Sequence, residues 1–268
     1  MKKAIYVTDL HGNIALYNKL FSFASKNRIK NIVIGGDIAP KGFHELGQMV
    51  LYQKKFLSEY LVPKIKKQKN KNVFIMMGND DVRINSNILE RAAKEGALNL
   101  LHNRVFKIGS FNIFGYPFVP ITPFRLKDWE KGDMEREEIR GIFTVERKDF
   151  SSIKDDFTKI KKLSNPKKTI YAIHTPPNNT KLDALYDKSH VGSRAVREFI
   201  EKEQPPLTLH GHIHESPYVS GDWKDRIGKS ICINPGSSHN IMSPGTAKVL
   251  NAVVFDLEDL EKAELVKI

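Results

Sequence analysis

Three histidines stand at alternate positions in the stretch from Leu207 to Glu215, which reads Leu-Thr-Leu-His-Gly-His-Ile-His-Glu. Alternate residues of an extended strand share one face, and Gly211 lets the chain turn, so His212 and His214 can approach one point from two directions. Imidazoles that converge on a point are common ligands of transition metals. A single His-x-His is more often a solvated polar turn, so the metal-site interpretation depends on which other residues can join it.

Residues of metal-ligand type also follow four other short apolar runs. Runs of this length, rich in β-branched residues, predict buried strands. Because ligands collect at the carboxyl ends of the strands in an α/β sheet, we expect the residues after these runs to converge. The runs are Lys3 to Val7 before Asp9 and His11, Ile32 to Ile34 before Asp37, Val73 to Met77 before Asn79, and Ile170 to Ile173 before His174.

The segments between the runs carry apolar residues at helical spacing, so predicted strands alternate with predicted helices. In the first of these segments, Leu16, Leu20 and Phe23 share one face. This alternation favours the α/β fold class. The other predicted helices are Glu45 to Leu61, Ser86 to Lys94 and Ser193 to Lys202.

Together the five strand ends supply three oxygen and four nitrogen donors. This set is too large for one tetrahedral zinc ion, and it fits two metal ions of five- to six-fold coordination with solvent completing each shell. A carboxylate shared by two cations would hold them ~3.5–4 Å apart, the spacing of two-metal phosphoryl-transfer sites. Since Mg²⁺ prefers oxygen and water, we expect manganese, iron or zinc, and magnesium less so. The donors are Asp9, Asp37, Asn79, His11, His174, His212 and His214.

The chain has 268 residues, 40% of them hydrophobic, which is enough for one large domain with a sizeable core. No linker divides it, so we expect a single domain over residues 1–268. The 43 Lys and Arg against 31 Asp and Glu give a formal net charge of +12, which favours anionic partners such as nucleotides, phosphates or nucleic acid. The densest basic run, residues 64–71, has no aromatic residue for stacking bases. It is either a solvated helix end or a phosphate-backbone patch.

The sequence favours a cytoplasmic protein. Its single cysteine, Cys232, has no partner for a disulfide within the chain and no neighbouring cysteines for a zinc site. Asp9 interrupts the N-terminal apolar run before a signal peptide could be completed. No run approaches the ~18 apolar residues of a membrane-spanning helix, so no membrane association is expected.

The ligand-bearing segments, in this order and each after a predicted strand, resemble the five signature blocks of the calcineurin-like metallophosphoesterase superfamily. Asn-Pro-Gly-Ser at residues 234–237, Pro-Phe-Arg-Leu-Lys-Asp-Trp-Glu from Pro123 and Gly-Ser-Arg at residues 192–194 are similar to small single-domain prokaryotic branches. The resemblance implies a four-layer αββα sandwich, in which two mixed β-sheets pack face to face and helices flank them. The blocks are Asp9-x-His11, Gly36-Asp37, Gly78-Asn79, His174 and Gly211-His212-x-His214.

The resemblance also implies a role for each block. A hydroxide between two cations would attack phosphorus in line, while the cations and Asn79 neutralise the phosphate oxygens, so no phosphoenzyme is expected. The substrate would be a phosphodiester or a phosphomonoester, with a small molecule or a nucleotide favoured. The implied ligands are Asp9, His11 and His214 for the first metal, Asn79, His174 and His212 for the second, and Asp37 for the bridge.

One position departs from the family pattern. Many members have a histidine after the block asparagine, where it helps to protonate the leaving group, whereas this chain has Asp80. An aspartate with a pKa of about 3.9 is ionised at neutral pH and is a poor acid, unless burial or the neighbouring Asp81 raises that pKa. We therefore expect weak leaving-group protonation and a preference for good leaving groups such as aryl or nucleotidyl esters. The candidate catalytic residues are Asn79, Asp80 and His174.

Residues 116–168 fit the core pattern least well, because a cluster of prolines precedes Trp129 and a charge-rich segment. We interpret them as an insertion over the site that selects the substrate; a peripheral element or a homodimer contact is the alternative. Arg194 follows a capping serine and could grip a phosphate at a helix N-terminus, or it could be a solvated surface residue. His239 is a candidate acid, and His210 is interpreted as structural.

Two other function classes stay open. A metal-dependent nuclease shares these blocks and fits the basic charge, but the chain has no appended nucleic-acid module or dimerising coiled coil. A steep loss of polynucleotide affinity with added salt would indicate a nuclease, since several phosphates would then be contacted. A non-catalytic protein-binding scaffold on the same fold, as in the retromer coat, has degraded metal ligands, whereas all seven are present here.

Overall fold

The computed structural model describes residues 2–42, 45–237 and 249–268. No helix within those ranges is long and apolar enough to cross a membrane. The strands are β1 (Lys3–Val7), β2 (Asn31–Gly35), β3 (Asn72–Met76), β4 (Asn99–Leu100), β5 (Val105–Ile108), β6 (Phe111–Tyr116), β7 (Val119–Pro120), β8 (Glu130–Lys131), β9 (Thr169–Ile173), β10 (Leu207–Leu209), β11 (Lys224–Ile227), β12 (Ser230–Ile233), β13 (Asn251–Asp256) and β14 (Asp259–Lys267). The α-helices are α1 (Ile14–Lys26), α2 (Leu46–Lys55), α3 (Val62–Lys66), α4 (Ser86–Lys94), α5 (Ile153–Leu163), α6 (Arg194–Glu203) and α7 (Ser216–Ser220).

Two six-stranded sheets contain most of these strands. In the first sheet, β1, β2, β3 and β4 run parallel. On the other side of β1, β13 pairs antiparallel with β1, and β14 pairs antiparallel with β13. In the second, β6, β9, β10 and β12 run parallel, with β5 and β11 antiparallel at the two edges. The strand orders are β14-β13-β1-β2-β3-β4 and β11-β12-β10-β9-β6-β5, and β7 pairs with β8 in a small parallel ladder. Both large sheets are therefore mixed, as the resemblance implied.

The central strands are buried on both faces, and their alternate residues belong to two apolar clusters. Tyr6 of β1 faces a cluster that also holds Phe74 of the first sheet and Leu209 of the second, so this cluster lies between the sheets. Ile5 belongs to the other cluster, with Leu16 of α1. Each fully buried side chain of this size contributes on the order of 1.5–3 kcal/mol. Helices outside and two sheets inside form the expected αββα sandwich, which is confirmed.

The parallel strands bring the ligand-bearing loops to one rim of the sandwich. β1, β2 and β3 are neighbours in the first sheet, and β9 and β10 are neighbours in the second. The hydroxyl of Tyr6 donates to the carbonyl of His210 at 2.9 Å, which joins the end of β1 to the end of β10. The N–H of Gly211 donates to the carbonyl of His174 at 3.0 Å, so the ends of β10 and β9 are also aligned. All five predicted ligand-bearing strands are present and end at this rim.

The helix predicted over Glu45 to Leu61 is longer and less regular than expected. α2 passes into a π-helical segment, Phe56–Leu61, and α3 continues the rod to Lys66. The wider π-helical turn rotates the side chains relative to α2, and Phe56 and Leu57 are buried there. A search for a 3.6-residue period does not detect such a change of register.

The basic run at residues 64–71 forms the end of α3 and the turn before β3. Lys66 pairs with Glu95 at 2.6 Å on the surface. Lys71 donates to the carbonyl of Ile29 at 3.0 Å. These contacts support the interpretation of this run as a helix end rather than a nucleic-acid patch.

Candidate metal centre

The seven predicted metal ligands meet at the rim, in the loops that follow β1, β2, β3, β9 and β10. Six of them are buried, and His212 is partly exposed. Ionisable groups are rarely buried unless they are paired or coordinate a cation, so a buried cluster of carboxylates and imidazoles indicates one or the other. The clustered residues are Asp9, His11, Asp37, Asn79, His174, His212 and His214.

Asp9, His11, Asp37 and His214 form a compact group, with one ligating atom from each lying within 4.8 Å of all the others. Nε2 of His11 lies 3.2 Å from Nε2 of His214, which lies 3.3 Å from Oδ1 of Asp9. Oδ2 of Asp37 lies 3.8 Å from Nε2 of His11. Two imidazole nitrogens and two carboxylates at these distances fit the donor set of a transition-metal ion.

His174 is the centre of a second group. Its Nε2 lies 3.1 Å from Oδ1 of Asn79 and 3.4 Å from Oδ1 of Asp37. The ring of His212 lies beside it, with the two ring centroids 5.5 Å apart. Asp37 therefore directs one carboxylate oxygen toward His11 and the other toward His174. A carboxylate shared between two cations requires this arrangement.

Four of the ligands adopt the left-handed backbone conformation, with φ of 56° at Asp9, 42° at His11, 49° at Asp37 and 66° at His212. This conformation costs roughly 1–2 kcal/mol for a residue with a side chain, and such strain collects at functional sites. Hydrogen bonds hold it in place. The N–H of Asp9 donates to the carbonyl of Gly36 at 3.1 Å, and the N–H of His212 donates to Oδ2 of Asp9 at 3.1 Å.

The glycines of two sequence blocks make room for His174. A Cβ on Gly78 would lie 2.6 Å from Nε2 of His174 and closer still to Asp37. A Cβ on Gly36 would likewise run into the His174 ring. Real Cβ atoms do not approach other atoms this closely, so only glycine fits at either position. The glycines that precede Asp37 and Asn79, after strands of the first sheet, thus leave space for His174, which follows a strand of the second sheet.

Asp81 fixes the relative position of two ligand loops. Its Oδ2 accepts from the N–H groups of Ile38 at 3.0 Å and Gly78 at 2.9 Å, and its Oδ1 accepts from the N–H of Ala39 at 2.9 Å. Burial raises the pKa of Asp81 to about 8, and the charge of Asp37 adds to this effect, while the backbone donors oppose it. The carboxyl group of Asp81 therefore ties the loop after β2 to the loop after β3.

Two histidines and two aspartates of the proposed metal centre are in the protonation state that binds a metal ion. Burial lowers the pKa of His212 to about 3 and that of His11 well below its ordinary value, so both imidazoles are neutral at pH 7. Burial alone would raise the pKa of Asp9 and of Asp37, but neighbouring imidazoles lower both, so both are carboxylates. Neutral imidazoles and ionised carboxylates are the forms that donate to a metal.

His174 is the exception among the imidazoles. Burial lowers its pKa, but the charge of Asp37 and its hydrogen bond raise it more, to about 9. A proton and a metal ion therefore compete for this ring. Nδ1 of His174 lies 2.9 Å from the carbonyl of Gly35 and donates to it, which directs Nε2 toward Asn79 and Asp37. In metal sites, a hydrogen bond from the ring nitrogen that does not bind the metal commonly orients a histidine in this way.

Sequence reasoning missed Lys41, which lies at the edge of the centre. Its Nζ lies 3.1 Å from Oδ2 of Asp80, and Oδ1 of Asp80 accepts from Nδ2 of Asn79 at 3.2 Å. Burial lowers the pKa of Lys41, but the charge of Asp80 raises it more, so the ammonium form is retained. The available sequence signal was a lysine four positions after Asp37, in the same loop. Nothing in its spacing connected it to Asp80.

The remaining predicted residues stand apart from the ligand cluster. Arg194 is exposed, and its backbone N–H donates to Oδ2 of Asp133 at 2.7 Å, so a carboxylate already occupies the N-terminus of α6. The phosphate-gripping role of Arg194 stays a prediction. His239 lies outside the described residues. The buried His210 has its Nδ1 2.9 Å from the carbonyl of Thr175 and its Nε2 2.8 Å from Oγ1 of Thr208, in keeping with a structural role.

The segment from 116 to 168 packs beside the loop after β3. The indole N–H of Trp129 donates to the carbonyl of Asp81 at 2.8 Å, and Oδ2 of Asp128 accepts from the N–H of Arg83 at 2.7 Å. The segment therefore supports the loop that carries Asn79. Its role in selecting the substrate stays a prediction.

Comparison with known proteins agrees with this geometry. Residues 2–216 match the family model described as calcineurin-like phosphoesterase. No protein of curated function matches the sequence.

Several solved structures share the fold over nearly the whole chain. The TT1561 protein of Thermus thermophilus aligns with a TM-score of 0.64 and 14% identity over 99% of this chain and 98% of that one. A dimetal phosphatase from Danio rerio aligns with a TM-score of 0.55 and 12% identity over 94% and 91%. An archaeal phosphodiesterase aligns with a TM-score of 0.50 and 11% identity over 99% of each chain. At these identities, the likeness is one of fold.

Proposed function

Because this chain belongs to the calcineurin-like phosphoesterase family, we propose that it is a two-metal phosphoesterase acting on phosphodiester or phosphomonoester bonds of small molecules or nucleotides. The observation that supports this most is the position of Asp37, whose two carboxylate oxygens face two different groups of donors. A carboxylate so placed suits two cations that act on one phosphate group. The names of the similar Danio rerio phosphatase and archaeal phosphodiesterase point to the same class of reaction.

The donor chemistry fits two transition-metal ions. When bound, such ions polarise the phosphate group and lower the pKa of a coordinated water. Nitrogen donors in both groups favour manganese, iron or zinc over magnesium. The residues proposed to hold the cations are Asp9, His11 and His214 for the first, Asn79, His174 and His212 for the second, and Asp37 for both.

Asn79 can also orient the substrate. Its Oδ1 faces Nε2 of His174, and one N–H of its amide donates to Asp80. An amide nitrogen carries two N–H donors, so the second remains for a phosphate oxygen. A donor fixed at that place stabilises charge that grows on the phosphate during reaction.

We assign the leaving-group side of the site to Lys41 and Asp80. Asp80 occupies the position of the family histidine, and its carboxylate holds the Lys41 ammonium at 3.1 Å. The ammonium can stabilise the departing oxygen by charge and by hydrogen bonding, while Asp80 positions it. An ammonium whose pKa is raised releases its proton reluctantly. Burial and the charge of Asp37 raise the pKa of Asp80, while Lys41 lowers it, so Asp80 is a better general acid than an exposed aspartate. The proposed preference for good leaving groups, such as aryl or nucleotidyl esters, therefore rests on the Lys41 ammonium alone.

A metal-dependent nuclease is the second candidate, and the net charge of +12 is the observation that favours it. Polynucleotide affinity that falls steeply with added salt would support a nuclease, because each contacted phosphate releases counterions. Affinity for a small ester should change little with salt.

Three further proposals come from the sequence. Residues 116–168 are proposed to select the substrate, or alternatively to form a homodimer contact. The protein is also proposed to be cytoplasmic.

The test is metal analysis combined with hydrolysis of an aryl phosphodiester and the matching monoester. Metal-stripped protein would be refilled separately with manganese, iron, zinc or magnesium. We expect about two metal ions per chain and turnover that depends on them. Absence of tight metal binding would contradict the proposal and favour a protein-binding scaffold. The ratio of diester to monoester turnover would then direct the choice of natural substrate.

A further inference from the structure

A separate cavity of about 280 Å³ lies beside the loop after β3, between that loop and the segment from 116 to 168. None of the seven proposed metal ligands is among its described lining residues. Three arginines, Arg83, Arg104 and Arg147, line it together with His102 and Trp129. Its volume is near the lower end of the range for small-molecule sites, roughly 300–1,000 Å³.

The three guanidinium groups have no carboxylate partner among the described residues. Arg83 lies over the ring of Trp129, with its Cζ 5.1 Å from the ring centroid. Arg147 donates only to backbone carbonyls, those of Asp149 at 3.0 Å and Glu130 at 3.2 Å. No ion pair involves Arg104 within residues 2–42, 45–237 and 249–268. Three guanidinium groups with free N–H donors therefore line one cavity.

Four acidic side chains also line the cavity and equal in number its four cations, the three arginines and Lys131. The oxygens of these acidic residues are already bonded within the protein. Asp149 pairs with Lys131 at 2.7 Å, and Glu130 pairs with Lys127 at 2.7 Å. Oδ1 of Asp128 accepts from the N–H of Thr144 at 2.7 Å, and its other oxygen accepts from the N–H of Arg83. The fourth acidic residue, Glu90, is exposed and accepts from the hydroxyl of Ser86 at 3.2 Å. These bonds leave the arginine donors available to a ligand.

The charges of Arg83 and Arg104 act on His102, which also lines the cavity. Burial lowers the pKa of His102 to about 3, and the charges of Arg83 and Arg104 lower it further. Burial also lowers the pKa of Arg147; the charge of Asp149 opposes this effect, and the charge of Arg83 adds to it. His102 is therefore neutral, and the positive charges of the lining lie on the three guanidinium groups and on Lys131.

Two cavity residues also hold the loop that carries Asn79. Nε2 of His102 accepts from the N–H of Met77 at 2.9 Å, and the indole of Trp129 donates to the carbonyl of Asp81. These bonds hold the loop at Met77 and at Asp81, on either side of Gly78 and Asn79. A ligand in the cavity would therefore contact the groups that position Asn79.

We propose that this cavity binds a small phosphorylated molecule, between pyrophosphate and a mononucleotide in size, at a site separate from the metal centre. Guanidinium groups present several N–H donors in a planar fork that matches phosphate oxygens, and such charge-assisted bonds are the stronger ones. The cavity holds more than a single phosphate ion. Its lining aromatic rings, Trp129, Phe143 and Phe118, are already covered by Arg83, Arg147 and Lys131. Recognition therefore rests on the phosphate groups.

The test is calorimetric titration of the full-length protein with pyrophosphate and with AMP at low ionic strength. We expect saturable binding of at least one of them. Binding should persist in Asp37→Ala, which removes the carboxylate shared by the metal groups. Replacing the exposed Arg104 (Arg104→Met) should weaken binding about tenfold or more, the effect of losing a charge-assisted bond. Arg140→Met is the matched control, because Arg140 pairs with Glu138 on the surface.

A spectroscopic readout locates the ligand. The chain has two tryptophans, so a Trp223→Phe background leaves Trp129 as the reporter. We expect its emission to change with the same dissociation constant as the calorimetric signal. Binding that is lost in Asp37→Ala, binding equal in Arg104→Met and the parent, or the absence of saturable heat with both probes would overturn the proposal. Unchanged Trp129 emission on saturation would also overturn it, since the anion would then lie elsewhere.

Discussion

The ammonium nitrogen of Lys41 lies 3.1 Å from Oδ2 of Asp80, which directly follows the proposed metal ligand Asn79. Both side chains are 22% exposed, so the pair is accessible from solvent and yet partly desolvated. At the position where the family resemblance implied a histidine, this chain has Asp80, which holds a lysine from another loop. The site therefore offers a lasting positive charge instead of a group that titrates near neutral pH.

Removing this charge should affect substrates according to their leaving groups. In Lys41→Met, we expect kcat to fall about 10²-fold on an alkyl phosphate ester and much less on a nitrophenyl ester, because a good leaving group needs little help. Steady-state kinetics on the two esters measure the ratio. Lys188→Met, at an exposed lysine, is the matched control. Equal losses on both esters would remove Lys41 from the leaving-group step.

Asp37→Ala tests the two-metal arrangement. The change removes the carboxylate whose two oxygens face different groups of donors, so we expect activity to fall by at least about 10³-fold and metal content to fall below one ion per chain. Metal analysis and circular dichroism on the same preparation separate loss of metal from loss of fold. Asp187→Ala, at an exposed residue, is the control. Retained activity with two metals would contradict the model.

Asp81→Ala should destabilise the protein without touching the substrate. The change leaves three buried backbone N–H groups without their acceptor, at roughly 1–3 kcal/mol for each. We expect a loss of about 3 kcal/mol or more in the free energy of unfolding, measured by urea titration. Asp81→Asn keeps one acceptor oxygen and should lose less. If Asp81→Ala is as stable as the parent, Asp81 does not hold the loops.

His102 should make the protein less stable in acid. Its pKa is about 3 when folded, lowered by burial and by Arg83, against about 6.5 for an ordinary histidine. Below pH 6.5 the unfolded chain binds a proton that the folded chain does not, so this group reduces the free energy of unfolding as the pH falls. His102→Gln can still accept from the N–H of Met77 but does not titrate. Its stability relative to the parent should therefore rise as the pH falls from about 6.5 toward 4.

Urea titrations of the parent and His102→Gln at pH 7.5, 5.5 and 4.5 measure this trend. The other buried histidines are common to both proteins, so the comparison isolates one group. A stability difference that is the same at all three values would show that His102 takes up its proton in the folded chain as easily as in the unfolded one.

The sequence was sufficient to predict the ligand-bearing half of the fold. Short apolar runs followed by Asp, Asn or His marked the five strands, because a buried strand and a polar turn have opposite compositions. The order of the blocks then indicated the family, whose fold is confirmed. Strands such as β5, β11 and β14 were not foreseen, since partly exposed edge strands lack a continuous apolar run.

What could not be predicted depends on contacts between distant residues. Lys41 and Asp80 are 39 positions apart, and Trp129 and Asp81 are 48 apart. No periodicity records which loop lies against which, so neither the cation beside the site nor the arginine-lined cavity had a signal in the sequence. The tie that Asp81 makes between two loops was hidden for the same reason, since an aspartate beside a ligand has several ordinary uses.

The hydrogen bond from Tyr6 to the carbonyl of His210 joins positions 204 residues apart. On the ribosome, a chain is synthesised from its N-terminus, so Asp9 and His11 emerge long before the histidines that share their group. No nascent chain that stops short of His214 can contain the complete donor set. The centre therefore forms after translation has passed the last block, and metal uptake would mark the docking of the two sheets during biogenesis.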